Sequence, residues 1–267
     1  MNKIIICFFI LFISISFTEA MAKCKRSGLK IMKKQKQRQH VDFEMMIQEV
    51  VLEDLKTSTK ETRKLRRHSM DMGPEKTKTL TTFLSPNDIK GTALLNWKNE
   101  DRSDDQWLYL PALRKMQRIA SSGKRKYFMG TDFTYSDLEG ETLSSWNYQC
   151  IRIESCGKKK CYKIVATPKT SKLINETGYS KRILWVRKKI YATIKADFYD
   201  RKGKLLKTMN NTKFIKYRKQ LWRAKKSVMT RVGFHKTTMS IKNIKLNDKI
   251  DTKTFTERFI TKGMHTR

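Results

Sequence analysis

Proline and glycine are scarce in this chain of 267 residues, at 4 and 11 respectively. That scarcity excludes collagen-like and Pro/Gly-rich low-complexity architectures. Four histidines and five cysteines are too few and too scattered for most metal or redox frameworks. The sequence contains no Gly-rich phosphate loop and no Gly-x-Ser-x-Gly nucleophile elbow. Negative charge is short as well: 25 Asp and Glu stand against 59 Lys and Arg, a net charge of +34. A field of that size attracts phosphates, on nucleic acid or on lipid head groups, and says nothing about fold. What is present is a hydrophobic content of 39% with 10% aromatics, enough for a packed core and too much for wholesale disorder.

The one long apolar run stands at the start. Lys3 precedes residues 4–17, which are apolar except for Ser14 and Ser16, and Thr18-Glu-Ala-Met-Ala22 follows. A positive charge, an apolar stretch and small residues at −3 and −1 read as a secretory signal over 1–20, cleaved after Ala20 or Ala22. The run falls short of the roughly 20 residues that span a bilayer. Lys3 and Glu19 cancel, so residues 21–267, read as a single domain, keep the +34 charge. The expected location is the periplasm, where a nucleic-acid partner is not expected. Cys24, Cys150, Cys156 and Cys161 then remain in a compartment that permits disulfides. Cys156-Gly-Lys-Lys-Lys-Cys161 lies between two strand-like runs, and a bond between its two cysteines would close a hairpin end; two free thiols are the alternative.

Ser27 opens a basic helix over 27–39 with Leu29, Ile31 and Met32 on one side. Beyond it the pattern is strand-like. Phe43, Met45 and Ile47 alternate with Glu44, Met46 and Gln48. Residues 60–69 and 76–84 flank the turn Asp71-Met-Gly-Pro74, and 92–97 and 106–110 are short apolar runs. Further runs cover 147–154, 161–167, 182–188, 190–199, 204–210, 213–218, 221–230 and 236–245. In the second half Ala192, Ile194, Ala196 and Phe198 share a face, and Asp200-Arg-Lys-Gly203 is a compact hairpin turn. These features predict a mainly β, α+β protein. Its architecture is an incomplete, strongly curved antiparallel barrel of about ten or eleven strands with covering helices. Residues 121–145 interrupt the pattern as loop plus short helical turns.

No catalytic residue, cofactor or metal is signalled. Carboxylates at Glu100, Asp101, Asp104 and Asp105, and at Asp132, Asp137 and Glu139, admit acid–base chemistry, so a secreted hydrolase is one alternative function. The bland reading is a polar loop. Trp97, Trp107, Tyr109, Phe128, Phe133, Tyr135 and Trp146 crowd into one part of the chain. They are expected in the core or along a lipid cavity and its lid. Lys124, Arg125 and Lys126 would then face solvent, a head group or an anionic membrane surface.

Three stretches carry a resemblance: Phe83-Leu-Ser-Pro-Asn-Asp-Ile-Lys-Gly-Thr-Ala-Leu-Leu95, Asp105-Gln-Trp-Leu-Tyr-Leu-Pro-Ala-Leu-Arg114 and Phe128-Met-Gly-Thr-Asp-Phe-Thr-Tyr-Ser-Asp-Leu138. Phe198-Tyr-Asp-Arg-Lys-Gly203, Trp222-Arg-Ala-Lys225 and Phe255-Thr-Glu-Arg-Phe259 extend it, so that it covers about residues 27 to 260. In these the chain resembles the outer membrane lipoprotein-sorting proteins, LolA-like carriers of the type associated with RND transporters. The resemblance implies a non-enzymatic carrier that shields the acyl chains of a lipid or lipoprotein in a half-barrel and works with an RND-family inner-membrane transporter. An adaptor or regulator of such a transporter, without cargo, is the other alternative.

Overall fold

The computed structural model describes residues 23–100, 102–218 and 220–267. The signal segment 1–20 and its cleavage points lie outside the described residues. Helix α1 spans Gly28–Gln39, and the Ser27 side chain caps it by accepting from the Lys30 amide. Strands β1 (Phe43–Asp54), β2 (Lys60–Asp71), β3 (Thr77–Ser85), β4 (Ala93–Lys98), β5 (Asp105–Leu110) and β6 (Lys115–Arg118) follow as a meander. A long crossing segment, 119–145, holds the short helix α2 (Tyr135–Leu138). Then come β7 (Trp146–Cys156), β8 (Lys159–Pro168), α3 (Ser171–Thr177), β9 (Tyr179–Arg187), β10 (Ala192–Asp200), β11 (Leu205–Lys216), β12 (Trp222–Arg231) and β13 (His235–Leu246). Helix α4 (Glu257–Thr261) lies near the C-terminus.

All thirteen strands form one antiparallel sheet in the order β6-β5-β4-β3-β2-β1-β13-β12-β11-β10-β9-β8-β7. It is open, with β6 and β7 as its edges. The expected count of ten or eleven strands was low. One reason is that β6 has only four residues, too few to show a period. Register shifts interrupt the ladders at Ile47/Gln48, Lys64/Leu65, Cys150/Arg152, Thr193/Lys195, Phe198/Tyr199 and Tyr199/Asp200. Bulges of this kind bend strands and increase twist, and so curve a wide sheet.

Alternation along each strand assigns two faces. The inner face carries Val50, Leu52, Leu65, Phe83, Leu94 and Leu108 in the first half, packed around Phe128 and Tyr135 of the crossing segment. In the second half it carries Ile164, Leu184, Ala196, Phe198 and Met229, packed with Ile31 and Met32 of α1. The outer face of the first half places Met70, Leu80, Leu95 and Tyr109 under Phe255 and Ile260 from the C-terminal segment.

Helix α1 is fastened at both ends. Cys24, just before it, is disulfide-bonded to Cys150 of β7 across a sequence separation of 126, with Cα atoms 6.1 Å apart. Lys36 in its last turn meets Glu75 at 2.5 Å, in the turn between β2 and β3. The Cys156–Cys161 bond that the spacing invited is not formed, and both are free thiols. Cys156 lies opposite Lys159 and Cys161 opposite Glu154, so the two cysteines are diagonal neighbours. Their thiols nevertheless lie within hydrogen-bonding reach of each other.

Candidate functional site

The two halves of the inner face are filled differently. Under the crossing segment and α1 the second half leaves a cavity of two adjoining lobes. The larger, about 580 Å³, has Phe133, Trp146, Tyr179, Phe198, Met209 and Met229 in its wall. Polar residues of the loops around 99–104 and 139–145, and of Lys169–Thr170 and helix α3, complete its lining. The smaller, about 400 Å³, has Met32, Leu184, Trp222, Met239 and Ile241 in its wall. Glu141, Arg182, Phe198 and Met209 border both lobes. The space has a cause in the sequence. Ala192, Ala196, Ala224 and Ser227 stand where larger side chains would close it, and unbranched methionines line what remains, giving an adaptable wall. The size falls within the range of about 300–1,000 Å³ usual for small-molecule sites.

The crossing segment is held over this cavity by buried polar contacts. Lys207 of β11 is fully buried; its Nζ lies 2.5 Å from Asp137 Oδ2 and donates to the Asp132 carbonyl at 2.9 Å. Asp132, also buried, accepts from Thr237 Oγ1 at 2.7 Å and pairs with His235 Nδ1 at 2.8 Å. Asp137 further accepts from the Tyr179 hydroxyl at 2.8 Å and closes a capping box with Thr134 at the start of α2. Burial and the Asp137 carboxylate push the Tyr179 phenol well above its ordinary range. On the first half, Arg63 donates to the Met129 carbonyl. All of these pairs except the Thr134–Asp137 capping box join the segment to the sheet.

At the rim Lys124 is buried, 2.6 Å from Glu139 and donating to the Asp104 carbonyl at 2.9 Å. Burial raises the Glu139 carboxyl to about 7 against the opposing pull of Lys124. Burial also raises Asp104 and lowers Lys98, the latter opposed by Glu75 at 3.0 Å. Among the described residues no group of carboxylates, histidines or cysteines has metal-site geometry. Asp105 is taken up by Arg102 and Arg118, and Asp132 and Asp137 by the contacts above.

The aromatic cluster read from the sequence divides three ways. Phe133 and Trp146 stand in the wall of the larger lobe. Phe128 and Tyr135 face the sealed core, where Phe128 stacks on Phe83 with centroids 5.6 Å apart. Trp97, Trp107 and Tyr109 point to the outer face and line neither lobe. Strand register pairs Trp107 with Leu95 and Tyr109 with Ala93, and Trp97 Nε1 donates to the Phe255 carbonyl at 2.8 Å. Lys124 does not face solvent either, because Glu139 and the Asp104 carbonyl draw it inward; Arg125 and Lys126 are exposed. The sequence reading missed Arg182, Met209, Met229 and Lys207. An available signal was strand alternation: Lys207 and Met209 are two apart on β11 and share the inner face with Phe198 and Ala196 of β10.

A family model described as "uncharacterized protein" matches residues 75–262. No curated protein matches the chain. A candidate outer membrane lipoprotein-sorting protein domain from Vibrio parahaemolyticus is 30% identical, with 88% of this chain and 98% of that one covered at a TM-score of 0.82. A DUF1329 family protein from Desulfovibrio piger is 24% identical, with 87% and 97% covered, also at 0.82. A LolA-superfamily protein from Nitrosomonas europaea shares the fold at 19% identity, 88% and 99% coverage and a TM-score of 0.68. An open curved sheet, a covered inner face and identity along nearly the whole Vibrio domain therefore agree: the chain belongs to the outer membrane lipoprotein-sorting protein family and has the LolA-like fold.

Proposed function

We propose that this protein is a non-enzymatic periplasmic carrier whose cavity shields the acyl chains of a lipid or lipoprotein on the way to the outer membrane. The observation that carries the reading is the unfilled space, apolar at Phe198, Met209 and Met229 and polar along the rest of its lining, roofed by a segment held through buried polar contacts. Burial of an acyl chain is worth about 0.8 kcal/mol per CH₂, so a multi-chain lipid needs such shelter in water and no covalent chemistry. The Vibrio relative's description as a lipoprotein-sorting domain points the same way. The Cys24–Cys150 bond fits an oxidising compartment. Work beside an RND-type exporter rests on the resemblance alone. Basic surface around Arg125 and Lys126 would favour docking to anionic membranes.

The test is lipid analysis of protein isolated from the cell envelope without detergent, with displacement of a fluorescent acyl probe. Stoichiometric lipid, displaced by the probe, supports the carrier. Empty protein, with probe binding no stronger than that of an unrelated cationic protein, defeats it. The mature N-terminus should be Met21 or Lys23 by mass analysis; Met1 on envelope protein would remove the periplasmic placement. One observation favours a second reading. A carboxyl titrating near 7 at a cavity rim, as Glu139 does, is where a general acid could act. Lipid-ester turnover abolished in Glu139→Gln would establish it.

A further inference from the structure

The smaller lobe contains an imbalance that acyl chains alone do not explain. Arg67 of β2 lies opposite Met46 in the ladder, so its side chain joins Leu65 on the inner face. It borders the smaller lobe and also a narrow cleft that reaches Asp104 and Glu139. Among the described residues its guanidinium forms no hydrogen bond or ion pair. Loss of hydration lowers its pKa, Glu44 opposes that shift and Arg223 adds to it, neither by direct contact. Glu44 is already engaged by Arg223 at 2.8 Å, while Arg223 also donates to the Gln39 side chain and carbonyl.

Arg182 borders both lobes. Its guanidinium lies 3.7 Å from the Trp146 ring centroid and 3.2 Å from Glu141, while Nε and Nη2 are buried without a hydrogen bond. Glu141 also accepts from the Tyr148 hydroxyl. The lining of the smaller lobe thus holds three guanidiniums and one carboxylate, Glu141; Glu44 pairs with Arg223 from outside that lining, Glu139 in the cleft is taken by Lys124, and Arg67 has no paired carboxylate. Arg67 is half-buried, so its guanidinium has given up part of its hydration and has gained no carboxylate in return. A guanidinium fork is shaped to take two oxygens of a phosphate.

We infer that Arg67, together with Arg182, holds the phosphodiester of an anionic glycerophospholipid whose acyl chains occupy the lobes. The inference rests on the carrier reading and narrows its cargo. A phosphate-bearing lipid satisfies the spare charge; the uncharged acylated end of a lipoprotein does not.

The experiment compares binding of fluorescent phosphatidylglycerol with binding of diacylglycerol bearing the same chains and label, using the full mature protein. It is run in ~1 M salt, where the screening length is about 3 Å and the exterior charge is largely silenced. Wild type should prefer phosphatidylglycerol by at least about tenfold, the scale of one charge-assisted hydrogen bond. Arg67→Met should abolish that preference while keeping the diacylglycerol affinity, and Arg67→Lys should keep part of it. Arg67→Met should also melt close to wild type, because it removes a half-buried charge that forms no ion pair. Equal binding of both lipids by wild type, or an undiminished preference in Arg67→Met, overturns the inference and leaves the carrier intact. Heat protection by millimolar inorganic phosphate without any lipid preference reassigns the site to free phosphate and also overturns it. Binding of neither lipid defeats the carrier reading itself.

Discussion

The first six strands and the last seven belong to one sheet, yet they are finished in opposite ways. The first half is packed on both faces, by Phe128 and Tyr135 inside and by Phe255 and Ile260 outside, and opens to the cavity along the edge at Met46, Gln48 and Arg67 and the cleft beside it. The second half keeps a cavity inside, and part of its outer face presents lysines beside aromatics, as with Lys163 and Lys195 over Trp185 and Lys181 over Tyr199. One half is built for stability and the other for accommodation. The difference lies in side-chain volume: Phe83, Leu94 and Leu108 fill the first, while Ala196, Met209 and Ser227 leave room in the second.

Substitutions can break or sharpen this contrast. The largest effect is expected at Phe128, which is 2% exposed. Phe128→Asp places a charge among Phe83, Leu65 and Tyr135 and should cost more than about 5 kcal/mol, read as lost cooperative unfolding. If the variant stays folded and merely binds less lipid, the first half is not the stable part. Lys207→Met should follow at about 3–5 kcal/mol, because Asp137 keeps its charge and loses its cation. Hydrogen exchange should then quicken first over 130–138. Reducing Cys24–Cys150 releases a long loop and should cost about 2–5 kcal/mol in denaturant.

Glu139 gives a pH-dependent effect. Its folded carboxyl, at about 7, lies above the ordinary 4.5. The native state thus holds the proton through that window, and the cost of ionising Glu139 is absent below it and complete above it. Glu139→Gln should gain on wild type by up to about 3 kcal/mol as pH rises from 4.5 to 7.5. His68, held down near 4 by burial and Arg66, has the opposite slope, so only the variant-minus-wild-type difference isolates Glu139. The smallest stability change belongs to Met209→Trp, under about 1.5 kcal/mol because the ring enters open space. Acyl-probe binding should nevertheless fall about tenfold.

Much of this was legible in the sequence, for local reasons. Ser27 announced α1 and Asp200–Gly203 its hairpin, because caps and turns are written in a few adjacent residues. The shared face of Ala196 and Phe198 followed from alternation. Which face looks inward did not. Strands β4 and β5 are buried on both sides, so Leu94 and Leu95 give no contrast, and Trp107 could not be told from Leu108. The partner of Cys24 was hidden for a related reason: α1 must lie across the inner face before Cys150 comes near, and nothing local to either cysteine records that.

The pairing of β1 with β13 sets a rule for assembly. The middle joint of the sheet is made between Phe43–Asp54 and His235–Leu246, early and late in the chain. Until the late strand arrives, β1 and β12 each present a bare row of amides, the kind of edge that recruits other chains. Distant pairings of this sort form slowly. A truncation before residue 235 would therefore yield two sticky half-sheets rather than a smaller working protein, and a nascent chain would benefit from being escorted until its last strand is free to dock.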